Sequence, residues 1–147
     1  MEIVNEVNLT IWSKSSNESY ARVAVSSFFT QLDPTVDEIT DIKTAVSEAV
    51  TNCIVHAYRN TVGKIYITAR ITDDRYAYIK IRDRGCGISD VKQAMEPMFT
   101  TAPEEERAGL GFAVMQTFMD KVKVTSAPGK GTTIIMTKKI RPRRNNG

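Results

Sequence analysis

The chain has 147 residues, which is enough for one domain with a substantial hydrophobic core. Apolar residues make up 41% of it and charged residues 25%, an ordinary balance that excludes a disordered or fibrous chain. The net charge of +3 comes from 20 basic and 17 acidic residues, and it is too small to indicate nucleic-acid binding by itself.

The first part of the chain predicts one strand and two helices. Loose apolar alternation predicts a strand over residues 4–12. Residues 15–18 (Ser-Ser-Asn-Glu) have the spacing of a capping box, so we expect a helix to follow and to end near Leu32, before a proline. Residues 35–38 (Thr-Val-Asp-Glu) form a second capping box, which predicts a long helix that reaches Tyr58.

The second part of the chain predicts two hairpins separated by a loop and a helix. Residues 96–109 show no clear periodicity, which is typical of a functional or mobile loop. This order of elements predicts an α+β two-layer sandwich with helices on one face of a mainly antiparallel mixed sheet. The predicted elements are strands 64–72 and 76–82, a short helix 91–95, a helix 109–119, and strands 122–125 and 133–137.

The long helix carries two polar residues that could bind a cation or accept a proton. Glu48 and Asn52 are four residues apart, so they project from a common face, away from the apolar stripe that runs from Ile39 to Ala57. The small neighbours Ala45 and Ala49 leave room for something to approach. A carboxylate beside a carboxamide suits a hydrated divalent cation, and the carboxylate can also accept a proton. The helix alone favours an ordinary solvated face that carries one Glu and one Asn, and the rest of the chain decides against that interpretation.

Glycine pairs mark three points of the second part. Six of the eight glycines fall in Gly-x-Gly pairs: 85/87, 109/111 and 129/131. The last pair is most simply a turn, whereas the second opens the predicted helix, where free N–H groups would face an anion. Asp83 ends a strand before the first pair, so it is either a turn aspartate or an acceptor for the exocyclic amine of a purine. No Walker A motif and no dinucleotide fingerprint is present.

The two cysteines, Cys53 and Cys86, fit no metal motif. Cys53 falls on the apolar helix face and is expected in the core. Since no apolar run reaches membrane-spanning length and no signal peptide opens the chain, we expect a cytoplasmic protein that does not contact the membrane. We expect residues 1–140 to form a single domain and residues 141–147 to form a basic, flexible tail.

Three motifs together resemble the N, G1 and G2 boxes of the GHKL ATPase superfamily in order and spacing: Glu48-x-x-x-Asn52, Asp83-x-Gly85-x-Gly87 and Gly109-x-Gly111. Within the superfamily, the chain is similar to the small anti-sigma-factor serine kinases, to those of sporulation first and to the stress-response kinases second. Three segments carry this closer resemblance: residues 18–22 (Glu-Ser-Tyr-Ala-Arg), 96–101 (Glu-Pro-Met-Phe-Thr-Thr) and 106–112 (Glu-Arg-Ala-Gly-Leu-Gly-Phe).

The resemblance implies a role for each of these positions in binding ATP and Mg²⁺, with ADP as the product. Asn52 would hold Mg²⁺, and Glu48 would be the general base on the attacking hydroxyl. Asp83 would accept from the adenine amine, with Thr132 or Thr133 nearby through water. The backbone at Gly85, Gly87, Gly109 and Gly111 would wrap the nucleotide, Thr100, Thr101 and Arg107 would belong to a lid over the triphosphate, and Arg22 would contact protein partners. Arg107 is also consistent with a salt bridge to residues 104–106.

The implied function is that of an anti-sigma factor. It would bind and inhibit a sporulation sigma factor, and it would phosphorylate a serine of an anti-anti-sigma protein as an ATP-dependent serine/threonine kinase. A homodimer and no direct DNA binding are expected. The alternatives are a stress-response kinase of the anti-sigma B type, or a binding module that uses nucleotide as a switch without phosphotransfer. His56 is the only histidine and lies in the ATP-site helix, which argues against a sensor histidine kinase.

Overall fold

The computed structural model describes residues 2–88, 90–95 and 103–142, without the side chains of Gln93 and residues 103–109. Five strands form one sheet in the order β1-β2-β3-β5-β4, and every neighbouring pair is antiparallel. The predicted α+β sandwich is confirmed. The elements are β1 (Ile3–Trp12), α1 (Ser16–Phe29), α2 (Val36–Asn52), β2 (Lys64–Thr72), β3 (Tyr76–Asp83), α3 (Val91–Ala94), α4 (Pro103–Phe118), β4 (Lys121–Ala127) and β5 (Gly131–Lys139).

One face of the sheet is buried beneath the helices. Along β2 and β3, alternate residues turn inward, and Ile67 pairs with Ile81 across the ladder. Helix α2 supplies the facing layer through its apolar stripe, and Ile42, Val46 and Val50 are all fully buried. The two periodicities visible in the sequence, two for strands and near 3.6 for helices, therefore account for the core.

The two predicted capping boxes have different outcomes. At the start of α2, Glu38 N–H donates to Thr35 Oγ1 (3.1 Å) and Thr35 N–H donates to Glu38 Oε1 (2.9 Å), so this box is confirmed. The box at Ser15 is wrong, because Ser15 itself has helical backbone angles and its side chain caps nothing. Glu18 instead accepts a hydrogen bond from the Ser47 hydroxyl, which ties α1 to α2.

The end of the long helix is not α-helical. After Asn52 the chain makes a π-helical turn, Cys53–Ala57, in which Tyr58 N–H donates to Cys53 O (3.1 Å). The wider turn leaves Ala57 O to accept from Cys86 N–H (3.0 Å), which joins this helix end to the loop after β3. Turns of this kind occur mostly as single insertions in α-helices, often at functional sites, and apolar periodicity does not reveal them.

Helix α4 begins at Pro103, six residues before the predicted start. Gly109 and Gly111 therefore lie inside the helix, and the prediction that this pair opens a helix with free N–H groups is wrong. Of the predicted tail at residues 141–147, residues 143–147 lie outside the described residues, and Arg141 N–H donates to Glu38 Oε2 (3.1 Å). Within the described part of the chain, no helix has the length and apolar character needed to cross a bilayer.

Candidate functional site

The predicted polar pair of α2 lies directly beneath α4. A Cβ atom at Gly111 would lie 3.1 Å from Asn52 Oδ1 and 3.3 Å from Glu48 Oε2. Glycine at this position therefore leaves space above both side chains that any other residue would fill. Three residues from two separate motifs, Glu48, Asn52 and Gly111, are brought together as the motifs predicted.

Asn52 is buried but incompletely bonded. Its side chain is 9% exposed, and Nδ2 is the buried side-chain atom that lacks a hydrogen-bond partner among the described residues. A buried, unpaired amide N–H group is unfavourable, so such a group calls for an explanation such as a missing ligand. Since the oxygen and nitrogen of an asparagine amide can exchange places, this side chain can present either an acceptor or a donor to that ligand.

The pair of side chains fits a hydrated Mg²⁺ ion. Mg²⁺ takes oxygen ligands and usually keeps several waters, with one or two protein groups and the substrate phosphates completing its shell. Glu48 is half-buried and Asn52 is buried, and together they offer a carboxylate and a carboxamide oxygen. The described residues contain no group of three or more His, Cys, Asp or Glu side chains that would form a complete metal cage.

Asp83 forms the second centre of the site, at the end of β3. The residue is 3% exposed, and Oδ1 accepts from Gly85 N–H (2.9 Å) and Thr132 N–H (3.2 Å). Oδ2 accepts from the Cys53 thiol at 3.4 Å. Burial raises the pKa of the Asp83 carboxyl above its ordinary value, and these hydrogen bonds oppose part of that rise. Because this weak donor is the one that Oδ2 receives from the described residues, the oxygen retains capacity to accept a further hydrogen bond.

Glycines 85 and 87 are required by the protein's own backbone. A Cβ at Gly85 would lie 2.3 Å from Ala57 O, and one at Gly87 would lie 2.0 Å from Ala127 O. Gly87 also has φ +77°, a conformation that favours glycine. The first glycine pair therefore lets the loop after β3 pack between the π-helical turn and the β4–β5 turn.

The third glycine pair, predicted as a simple turn, also supports Asp83. Gly131 has φ +83°, and a Cβ there would lie 2.2 Å from Asp83 O. Gly129 has φ +74°, but a Cβ at that position would meet nothing within 4 Å. The turn thus brings Thr132 N–H to the Asp83 carboxylate through one close approach, at Gly131.

Ser126 and Cys53 are site residues that the motifs did not reveal. Ser126 Oγ donates to Gly131 O (2.9 Å), accepts from Ile88 N–H (2.8 Å) and bonds to Thr132 Oγ1 (2.8 Å). This serine therefore connects the β4–β5 turn to the loop after β3. Ser126 lies one residue beyond the predicted strand 122–125, on the partly buried face of β4 that it shares with Val122 and Val124, and no motif marked it. Cys53 was expected only as core.

The remaining predicted residues are placed as follows. Arg22 lies on α1, pairs with Glu18 at 3.8 Å, and has a side chain that is 39% exposed. Thr132 is the threonine beside Asp83, whereas Thr133 pairs with Arg82 and Thr125 in the next register position. Thr100 and Thr101 lie outside the described residues, as do the side chain of Arg107 and its alternative salt bridge, and Gly109 is placed only as part of α4.

The fold and the arrangement of this site define an ATPase domain of the histidine kinase-like class. The family model described as "Histidine kinase-like ATPase domain" matches residues 11–138, which is most of the chain. The match includes both capping-box positions, the polar pair of α2, and all three glycine pairs.

Similar proteins identify the family within this class. The chain is 60% identical over 140 residues to the anti-sigma F factor of Caldanaerobacter subterraneus subsp. tengcongensis, with 95% of this chain and 97% of that protein covered. It is 53% identical over 137 residues to the anti-sigma F factor of Bacillus subtilis, with 92% and 93% covered. The chain belongs to the anti-sigma F factor family of histidine kinase-like ATPases.

A solved structure has the same fold. It contains the RsbU and RsbW domains of Rv1364c from Mycobacterium tuberculosis, and it aligns with a TM-score of 0.70 at 21% identity. The alignment covers 96% of this chain and 34% of that one. At this identity the comparison establishes the architecture, and the functional argument rests on the site and on the closer relatives.

Proposed function

We propose that the protein is an anti-sigma factor that binds a sigma factor and uses ATP to phosphorylate a serine of an anti-anti-sigma protein. The observation that carries this proposal is the position of Glu48 and Asn52 beneath Gly111, with Asp83 bonded to Cys53, the residue that follows Asn52. The names of the relatives support the sigma-factor partner.

The base and the phosphates of ATP would occupy the two ends of this site. Oδ2 of Asp83 would accept from the 6-amino group of adenine, because its other oxygen is taken by Gly85 and Thr132. The amide of Asn52 would face the phosphates and hold Mg²⁺, which would neutralise charge on the transferred phosphoryl group.

Glu48 would act on the protein substrate. Its carboxylate lies on the same helix face as Asn52 and beside the space left by the missing side chain of Gly111, where a substrate hydroxyl would approach the terminal phosphate. There it would accept the proton of the attacking serine hydroxyl as a general base. Phosphoryl transfer depends mainly on positioning and charge neutralisation, and the buried end of α2 would provide the positioning.

Further elements of the proposal concern segments and surfaces beyond this geometry. Arg22 would contact the protein partners, and Thr100, Thr101 and Arg107 would belong to a lid over the triphosphate. The protein would act as a cytoplasmic homodimer and would not bind DNA directly. Arg22 is available for such a contact because its side chain is partly exposed beside Glu18.

The test is transfer of label from γ-labelled ATP to the purified anti-anti-sigma partner. Wild type is expected to label a partner serine, and Glu48→Gln is expected to slow labelling by about 10²–10⁴-fold while leaving ATP binding in place. The matched control is Glu6→Gln, which makes the same change on the exposed strand β1, where Glu6 pairs with Arg70. Its rate should equal that of wild type.

Two other outcomes would revise the proposal. Equal labelling by wild type and Glu48→Gln would remove Glu48 from the reaction. Capture of a sigma factor by wild type, with ATP bound and no label on the partner, would favour the binding module that uses nucleotide as a switch.

A further inference from the structure

A buried thiol contacts the carboxylate that is proposed to read the base. Cys53 is the first residue of the π-helical turn, directly after Asn52, and it is 1% exposed. Its Sγ lies 3.4 Å from Asp83 Oδ2. The contact joins the π-helical turn that follows α2 to the end of β3.

The thiol is a donor in this contact. Cys53 Sγ donates to Asp83 Oδ2, which as a carboxylate oxygen accepts. A thiol that keeps its proton is a weak hydrogen-bond donor, and a carboxylate is an acceptor. Oδ1 already receives two backbone N–H groups, whereas the thiol is the donor recorded for Oδ2 among the described residues.

We propose that Cys53 is a positioning residue for base recognition, whose thiol holds Oδ2 of Asp83 charged and oriented to accept from the amino group of a 6-aminopurine. The inference rests on the proposed binding of an adenine nucleotide. It adds a residue that determines base specificity through Asp83. Cys53 itself would take no part in phosphoryl transfer.

The physical reason is that a carboxyl in this position has two ways to respond to a purine. When charged, it accepts from a 6-amino group and repels a 6-oxo group. When it gains a proton, it can donate to a 6-oxo group instead. The Asp83 site is buried, which favours the neutral form, and the thiol hydrogen bond favours the charged one. Removal of the thiol should therefore weaken discrimination between the two classes of purine.

The test compares ADP with inosine diphosphate, which carries a 6-oxo group in place of the 6-amino group. Calorimetric titration with Mg²⁺ should give a preference for ADP in wild type. In Cys53→Ala this preference should fall about fivefold, the factor that corresponds to a net hydrogen-bond contribution of about 1 kcal/mol. In Cys53→Ser, which keeps a donor of similar size, the preference should be largely restored.

The outcomes separate this inference from the proposed function. If wild type takes up no ADP, the proposed function fails. If wild type binds ADP, and Cys53→Ala and Cys53→Ser show the same ADP preference as each other, the thiol does not position Asp83 and the inference fails. A change in ADP affinity matched by an equal change for inosine diphosphate would indicate a merely structural role, and it would also overturn the inference.

A second measurement needs no nucleotide. In a Cys86→Ser background Cys53 is the one remaining thiol, and its S–H stretching band in the infrared spectrum reports its hydrogen bond. Asp83→Asn should move this band towards that of a weakly bonded thiol. A band that stays in place would show that the thiol does not donate to the carboxylate.

Discussion

The two ends of the candidate site differ in how completely their polar groups are bonded. Around Asp83, the carboxylate, Thr132 and Ser126 form a connected set of hydrogen bonds that ties three segments together. Around Asn52, a buried amide nitrogen has no partner among the described residues, and the space beside it is kept open by Gly111. We call these the base end and the phosphate end, after the parts of ATP that they would hold in the proposed function. The base end is already bonded within the protein, whereas the phosphate end would be completed by its ligand.

The difference between the two ends indicates which substitutions should change the stability of the protein and which should change its binding of ligand. A group that is already bonded in the folded protein contributes to the fold, so its removal should destabilise the protein. An unpaired buried group costs stability and is retained where it serves a ligand. Substitutions at the two ends should therefore have distinguishable effects on stability and on binding.

The largest effect is expected where the base end is packed against backbone. Gly87→Ala would place a Cβ 2.0 Å from Ala127 O at φ +77°, and we expect a loss of about 3 kcal/mol in the free energy of unfolding. Gly129→Ala is the matched control, since it has φ +74° but open space around the Cβ, and it should cost about 1 kcal/mol. Denaturant unfolding of both variants measures the difference, and equal losses would contradict the close packing.

At the phosphate end, Gly111→Ala should separate binding from stability. The added Cβ crowds Asn52 and Glu48, so affinity for Mg²⁺-ADP should fall about tenfold. The residue lies inside α4, where alanine is favoured over glycine by about 0.5–1 kcal/mol, so the unliganded protein should be no less stable. Calorimetry and thermal unfolding check the two parts, and a variant that loses stability while it keeps its affinity would contradict this account.

Removing a polar group should change the free energy of unfolding in opposite directions at the two ends of the site. Asn52→Leu deletes the unpaired amide and should stabilise the unliganded protein by about 1 kcal/mol. Ser126→Ala deletes a hydroxyl with three hydrogen-bond contacts and should destabilise it by about the same amount. Unfolding free energies of the two variants without nucleotide are compared with wild type. Destabilisation by both would show that Asn52 is bonded like any other buried group.

The smallest effect is a pH dependence at Asp83. Burial raises the pKa of its carboxyl in the folded protein above the ordinary value of 3.8. The folded state then keeps its proton to higher pH than the unfolded chain does, so this contribution to stability is complete below 3.8 and is lost as the pH rises through the folded pKa. Relative to Asp83→Asn, wild type should lose unfolding free energy over this range. A constant difference between the two would contradict the raised pKa.

Most of the fold follows from local patterns in the sequence. The apolar alternation of β2 and β3, the stripe of α2 and the capping box at Thr35 each predicted an element that the structure contains. The start of α4 could not be predicted from the spacing of apolar residues, because residues 96–109 show no amphipathic period. That spacing also missed the π-helical turn, whose five residues are too short to shift the helical period visibly.

The site was predicted in part, for a similar reason. Spacing along one helix is enough to pair Glu48 with Asn52, and the glycine pairs identify points of close approach. Spacing in the sequence does not show which atoms approach these glycines. At Gly85 and Gly87 the approaching atoms belong to the protein's own backbone. The contact between Cys53 and Asp83 joins residues that are 30 positions apart, so it depends on how α2 and β3 pack.

The most direct test of the two-ended site is a crossed calorimetric titration. ADP and inosine diphosphate are titrated with and without Mg²⁺ into wild type, Asn52→Ala and Asp83→Asn. We expect Asn52→Ala to lose the dependence on Mg²⁺ and to keep the preference for ADP, and Asp83→Asn to lose the preference and keep the dependence on Mg²⁺. If each variant loses both properties, or if neither variant loses either, the site does not have the two separate ends described here.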